Sequence, residues 1–286
     1  MRIGILGDIH LHFDAIDVEQ LDAARYAAVF FVGDIAAYSH RGGLRVAEQI
    51  AKISTPSILI PGNHDAVHAG QLAVELLQAD PLVGLMNFGQ VGRERSLADA
   101  LGSTVVGGYS LHRFEADSQT LDVLACRPHS MGGGRLAFRR CLSETHGVDS
   151  LEESTRRLIE RVDESDADHL VFLAHNGPTG LGDSREDIWG CDFRKEEGDF
   201  GDPDLEAAVA HAKKVGKPVR AVVAGHMHHH LRGGGKRRWQ LEDEGVLYVN
   251  AARVPRIFER GQRILRHHVE LTINNDGAKV REVLNS

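Results

Sequence analysis

Asp8, Asp34 and Asn63 each stand just past a short apolar, β-branched run, and they follow one another at intervals of 26 and 29 residues. The runs Ile3–Gly7, Val29–Gly33 and Ser57–Pro61 read as buried strands. Helix-like patterns at Ala15–Ala24 and Leu44–Ile53 separate them. An interval of that size is the step of successive βαβ units, whose right-handed crossovers lay parallel strands side by side. The polar residues that close the strands then gather on one edge of the sheet, where open α/β sheets place their ligands. Further runs at Val171–Ala174, Val219–Gly225 and Val246–Asn250 read as strands of the same kind.

The stretch from about 66 to 170 is less regular. It holds a helix pattern at Gln71–Gln78, a strand at Thr104–Val106 and a glycine-rich loop at 126–135. Ser150 followed by Glu153 is a capping-box pattern, and it opens a helix on which Leu151, Leu158 and Val162 recur at helical spacing. A long polar segment, 176–203, follows His175, and a loop of that length in a compact domain is expected to serve as a lid. Asn275-Asp276-Gly277 between two strand-like runs signals a C-terminal hairpin. With no internal repeat and no linker, the expectation is one domain over 1–286, carrying insertions at about 66–170 and 176–203.

Composition excludes several classes of function. The formal net charge of −8 argues against a protein that coats nucleic acid or an anionic membrane. No run approaches the roughly 18 apolar residues of a membrane helix, and the first apolar run is too short for a signal peptide. Three cysteines with no CxxC spacing point to a reducing compartment, so a cytoplasmic location is expected. Histidine is the outlier, at 17 residues against 4 tyrosines and 2 tryptophans. It is the commonest metal ligand among side chains.

Five motifs lie at the ends of the expected strands: Asp8-Ile9-His10, Gly33-Asp34, Gly62-Asn63-His64-Asp65, His175 in Leu-Ala-His-Asn-Gly-Pro, and Gly225-His226-Met227-His228. Each offers oxygen or imidazole donors, a mixture suited to Mn, Fe, Zn or Ni rather than to an all-oxygen calcium cage. In this order the motifs resemble the calcineurin-like metallophosphoesterase superfamily, over positions 8 to 228. The resemblance implies a four-layer α/β/β/α sandwich of two mixed β-sheets flanked by helices, with two metal ions at the strand ends. It implies Asp8, His10, Asp34 and His228 as ligands of one ion, and Asp34, Asn63, His175 and His226 as ligands of the other, with Asp34 bridging. Mn is the first expectation for the pair, with Fe, Zn or Ni as alternatives.

Two cations about 3.5–4 Å apart can clamp a phosphate and lower the pKa of a shared water. The resemblance therefore implies hydrolysis of a small-molecule phosphate mono- or diester by a metal-bridging hydroxide, with His64 as general acid beside Asp34 and Asn63. Nucleic acid is not the expected partner. Departures narrow the subclass. Phosphoprotein phosphatases carry an Asp-Arg pair and a further Arg where this chain has Ala37, Tyr38 and Pro61. That pattern disfavours a calcineurin-type protein phosphatase and leaves His64 without its usual carboxylate, for which Asp65 is the candidate replacement.

For the phosphate itself, the segment Cys126–Arg135 joins cations to glycines and reads as an anion cradle, so Arg127, His129 and Arg135 are candidate substrate contacts, with Asn176 beside them. Arg232 to Arg238 reads as a charged hairpin tip, and His12, His229 and His230 as residues at the rim of the centre. The alternatives are a catalytically silent scaffold of the same fold, or a nuclease or cyclic-nucleotide phosphodiesterase within the superfamily.

Overall fold

Alternation along the first strands divides their side chains between two layers. In the computed structural model, which describes residues 1–77, 86–193 and 198–286, Ile3 and Ile5 of β1 (Arg2–Leu6), Ala28 and Phe30 of β2 (Ala28–Phe31) and Ile58 of β3 (Ser57–Leu59) point into one apolar cluster. Their neighbours Leu6, Val29, Phe31 and Leu59 point the other way, against helices. The period of two is what a strand buried on both faces requires.

The outer cluster is closed by Leu21 of α1 (Ala15–Ala23), Val46 and Ile50 of α2 (His40–Ile50), and Leu97 and Leu101 of α4 (Gln90–Leu101). The short α3 (Ala69–Leu76) lies between α2 and α4 in sequence. β1, β2, β3 and β4 (Val105–Val106) run parallel in the order β1-β2-β3-β4. Antiparallel β12 (Arg263–Asn274) pairs with β1 and also carries β11 (Ile257–Arg260) and β13 (Gly277–Asn285).

The second sheet has the order β5 (Ser110–Ala116), β6 (Gln119–Ala125), β7 (His169–Leu173), β8 (Val219–Ala224), β10 (Val246–Asn250), β9 (Gln240–Asp243). β6, β7, β8 and β10 are parallel, and β5 and β9 close the edges antiparallel. Leu121, Val123, Val171, Phe172 and Val222 of this sheet share one apolar cluster with Ile3, Ile5 and Phe30 of the first. Leu158 and Val162 of α6 (Leu151–Glu164), and Leu205 and Val209 of α7 (Pro203–Lys214), belong to it as well. α5 (Arg139–His146) packs Cys141 against Val67 and Leu72 in a smaller cluster. Two mixed sheets flanked by helices are thus the architecture, as the four-layer expectation has it.

The sequence reading and the structure differ in several places, α2 among them, which runs over His40–Ile50 rather than 44–53. The stretch 66–170, expected as an insertion, supplies β4, β5 and β6 and so completes both sheets. The helix expected over Gln71–Gln78 begins earlier, at Ala69, because the His68 imidazole accepts the Gln71 N–H at 3.1 Å and caps it; Gln78 lies outside the described residues. The Ser150 box is half formed: its hydroxyl accepts the Glu153 N–H at 3.1 Å, but Glu153 accepts from Asp149, one residue before the cap. The hairpin at 275–277 is present, and Asn274 Oδ1 accepts the N–H groups of Asp276 and Gly277.

Several histidines are packing residues. His268 is buried on β12, its Nε2 2.8 Å from the Tyr26 hydroxyl, which in turn donates to Glu270. Burial and the neighbouring Arg256 charge push its pKa down to about 4. His267, also buried, is pushed down by the same desolvation despite Glu282 at 3.1 Å. Between pH 6.5 and about 4 the unfolded chain therefore binds protons that the folded chain refuses, so stability falls as pH drops through that window. Urea denaturation at a series of pH values should give a smaller acid slope for His268→Gln than for the wild type. An unchanged slope would remove His268 from the account.

Candidate metal centre

Asp8, Asp34 and Asn63 follow β1, β2 and β3, while His175 and His226 follow β7 and β8, so the parallel strands of both sheets deliver their C-terminal loops to one seam. Four of the residues there take left-handed backbone: Asp8 at φ 48°, His10 at 44°, Asp34 at 53° and His226 at 67°. Each such conformation costs about 1–2 kcal/mol for an L-residue. Backbone bonds from His10 to the Asp34 carbonyl (2.9 Å) and from Asp8 to the Gly33 carbonyl (3.2 Å) help to hold two of them.

Two glycines are required by close approach. A Cβ on Gly62 would lie 2.2 Å from Asp34 Oδ1, and one on Gly225 2.3 Å from Asp8 Oδ2. The glycine before Asn63 and the glycine before His226 each let the backbone pass directly against a carboxylate.

Asp8, His10 and His228 form one group of donors, and Asp34, His175 and His226 a second. Within the first, His228 Nε2 is 3.4 Å from Asp8 Oδ1 and 3.3 Å from His10 Nε2. Within the second, Asn63 Oδ1 is 2.9 Å from both His175 Nε2 and His226 Nδ1, and Asp34 Oδ1 is 3.5 Å from His175 Nε2. Asp34 connects the groups, with Oδ2 4.0 Å from His10 Nε2. All seven residues expected as ligands are therefore brought together at one seam.

The donor set fits cations. His10 Nδ1 faces the Ala36 carbonyl at 3.1 Å and His175 Nδ1 the Val32 carbonyl at 2.7 Å. A carbonyl only accepts, so a ring proton sits on Nδ1 and Nε2 is the nitrogen turned inward. There it meets other acceptors: Asn63 Oδ1 for His175, and the His228 ring for His10. Asp8 Oδ1 is buried without a hydrogen-bond donor. Such an array is stable only with positive charge between its members, and Asp, Asn and His together suit a first-row transition metal. Burial alone would push the Asp8 carboxyl up, but with no cation in that space the positive charge of the neighbouring His228 outweighs it and holds the group well below the usual carboxylate range. Burial, and then the His175 charge, push the His226 imidazole down to about 3, keeping a lone pair available.

His64 is half-buried beside this array. Its Nδ1 donates to the Ala37 carbonyl, and its Nε2 lies 4.0 Å from Asp34 Oδ2. The His64 backbone N–H also donates to Asp34 Oδ1 at 2.8 Å. The expectation that Asp65 orients the ring is corrected. Asp65 is fully buried and accepts the N–H groups of Asp34 (2.8 Å), Gly62 (2.9 Å) and Ala36 (3.0 Å), so it fixes backbone instead.

The proposed anion cradle is also corrected. The Arg127 guanidinium is buried between Asp202 (2.9 Å) and Asp204 (2.8 Å), where it can reach no substrate. His129 is buried behind the centre, bonded to the Gly62 carbonyl at 2.8 Å and to Glu94 at 2.5 Å. Asn176 spends its amide on the Phe200 carbonyl and Asp202. The Gly132 and Gly133 N–H groups are taken by Ser130 and by the Phe200 and Gly201 carbonyls. Of the four candidate substrate contacts only Arg135 lines the cleft.

That cleft has a volume of about 540 Å³ and opens over Asp34, Asn63, His64, His226 and His228. Its walls add Tyr38, Met131, Phe193, Phe200, Arg135 and Arg232. Tyr38, 71% exposed, sets its ring edge-on to His64 with centroids 5.4 Å apart. The segment 176–203, expected as a lid, is anchored. Ile188 and Trp189 sit in the main core, and Pro178 and Gly190 bridge to Asp202 and Asp199; residues 194–197 lie outside the described set.

Sequence reasoning missed two supports. The Asn250 amide donates to the Met227 carbonyl (2.7 Å) and the Ile188 carbonyl (3.1 Å), tying the His226–His228 loop to that segment. Arg237, expected at a hairpin tip, is buried and donates to the His228 carbonyl. Neither carries a sequence signal, because both act on backbone carbonyls. Tyr38 could have been found, as an aromatic residue in the loop that follows Asp34.

The family model for calcineurin-like phosphoesterases matches residues 1–230, and the chain belongs to that family. Metal-dependent phosphoester hydrolysis is the family's general chemistry. Among solved structures the chain is similar to a protein of Thermus thermophilus designated TT1561, at 11% identity and a TM-score of 0.56, over 98% of this chain and 97% of that one. That likeness is one of fold. It also matches a dimetal phosphatase from Danio rerio at 11% identity and a TM-score of 0.49, over 99% and 98% of the two chains. No curated protein matches the sequence.

A methyl group at position 225 would collide with the Asp8 carboxylate. Gly225→Ala should therefore weaken metal binding at the Asp8, His10 and His228 group by about tenfold or more while the fold persists. Metal titration of the apo variant checks this, and wild-type affinity would refute the close-approach argument.

Proposed function

We propose that the protein is a metal-dependent phosphoesterase that hydrolyses a small phosphate mono- or diester, with His64 as general acid. The observation that carries this reading is the Asp34 carboxylate, which belongs to the His175–His226 donor group, lies 4.0 Å from His10 Nε2 of the other group and 4.0 Å from His64 Nε2, and sits at the floor of an open cleft. Mn is the proposed metal, with Fe, Zn and Ni as alternatives for the same donors. When bound, the metal pair supplies Lewis acidity, neutralising phosphate oxygens and lowering the pKa of the attacking water.

The chain's own residues supply the rest. Asp8, His10 and His228 hold one side of the centre and Asn63, His175 and His226 the other, with Asp34 between them. The Ala37 carbonyl fixes the His64 ring by its Nδ1–H, so protonated His64 has one proton to give, on Nε2, where a leaving oxygen can lie. Tyr38, Met131 and Phe200 offer apolar surface to the organic part of the ester, and Arg135 and Arg232 add positive charge at the cleft wall. A volume near 540 Å³ suits a small molecule. Buried, unpaired Cys126, Cys141 and Cys191 support a reducing compartment, and no helix among the described residues is long and apolar enough to cross a membrane.

The test is hydrolysis of p-nitrophenyl phosphate, its bis ester and a panel of alkyl and cyclic esters after reconstitution with Mn, Fe, Zn or Ni. Asp34→Asn should abolish both metal loading and turnover. His64→Ala should lower kcat/KM on alkyl esters by about 10²- to 10⁴-fold, and far less on nitrophenyl esters, whose leaving group needs no proton. Equal losses on both would make His64 a positioning group only. Metal-replete protein inert across the panel would sink the reading.

A further inference from the structure

The ligand rings are not anchored alike. His10 and His175 are fixed from outside the centre by the Ala36 and Val32 carbonyls. Among the described residues, the polar contacts of the His228 ring are Asp8 and His10, both within the centre. Metal-binding imidazoles are generally aimed by a partner on their other nitrogen. The His228 ring must instead be aimed by its backbone, and Arg237 grips that backbone.

The Arg237 side chain is buried, and its guanidinium makes three contacts at once. Nη1 donates to the His228 carbonyl at 2.6 Å, Nη2 donates to the Gly190 carbonyl at 2.6 Å, and Nη2 lies 3.2 Å from Asp192 Oδ1. Asp192 lines the cleft, and its other oxygen accepts the Arg232 N–H at 2.8 Å. The Arg237 N–H donates to the His229 carbonyl at 2.8 Å, and the Arg238 N–H to the Glu186 carbonyl at 2.8 Å. The turn after His228 is thereby stitched to the stretch that carries Glu186, Gly190 and Asp192. A planar, always-charged fork can hold two carbonyls and a carboxylate together, whereas a lysine ammonium is a single point charge on a flexible stem.

We propose that Arg237 is a positioning residue that joins the His228 side of the metal centre to the Asp192–Phe193 wall of the cleft, so that metal affinity on that side and grip on the ester's organic part change together. The second half of this statement rests on the phosphoesterase reading; the first does not. Apo wild type, Arg237→Lys and Asp192→Asn are to be titrated with Mn²⁺ in the absence of substrate, with circular dichroism to confirm folding. Wild type should take up two equivalents. Arg237→Lys should weaken one of them roughly 10- to 100-fold and leave the other unchanged. In turnover, KM should rise while kcat recovers at saturating Mn²⁺, a split that general loosening of the fold would not give.

Folded Arg237→Lys with both Mn²⁺ affinities at wild-type values overturns the proposal. Should that variant not fold, Asp192→Asn decides: it keeps the arginine in place, and a weakened single equivalent supports the link while unchanged affinity overturns it. Wild type that binds two Mn²⁺ but hydrolyses nothing defeats the catalytic reading alone. Wild type that binds none defeats both.

Discussion

Three backbone N–H groups converge on the buried Asp65 carboxylate, and the metal centre hangs from that junction. Two of the donors, Asp34 and Ala36, belong to the loop after β2; the third, Gly62, belongs to the loop after β3. Hydrogen bonds to a charged group contribute about 1.5–3 kcal/mol each. Burial and the Asp34 charge both push the Asp65 pKa up, and the bonds from Ala36 and Gly62 oppose them. The loop thus pinned carries the Ala36 and Ala37 carbonyls, which set the rings of His10 and His64. One carboxylate behind the cleft therefore orients both His10 of the candidate donor set and His64, the proposed proton donor.

What Asp65 restrains is an arrangement that would otherwise fly apart. Four left-handed residues and a ring of inward-facing acceptors make the seam locally unfavourable without cations. The apolar cluster shared by both sheets, with Phe30, Phe172 and Val222 fully buried, supplies the rigid edges that keep the loops from relaxing. Strain at the strand ends is supported by packing beneath them. Local rules break where the donors must point inward, and they hold everywhere else along the same strands.

This division explains how far the sequence could be read. The strands that carry ligands are short, apolar and closed by Gly with Asp, Asn or His, so position and chemistry coincide in five local motifs. The β5–β6 hairpin has no such mark: Asp117 and Ser118 both take positive φ without a glycine, so the usual turn signal is missing. Arg127 and Asn176 look like anion contacts in one dimension. Their partners Asp202 and Phe200 lie far along the chain, in a segment that reads as free loop. Ile188 and Trp189 anchor that loop, yet two apolar residues among glycines and aspartates give no periodicity to read.

The histidine excess makes the same point within one residue type. His10, His64, His129, His175 and His230 all set Nδ1 against a backbone carbonyl. That single anchor fixes the tautomer and leaves Nε2 to act. For His10 and His175, Nε2 faces other metal donors. For His64 it faces the Asp34 carboxylate beside the cleft. For His129 it faces Glu94 in the interior, and burial is outweighed by that carboxylate, which raises the His129 pKa and makes the pair an internal brace. The anchor is common to candidate ligand, proposed acid and brace, so the sequence around each histidine cannot separate them. The sheet edge decides, by what it sets in front of the second nitrogen.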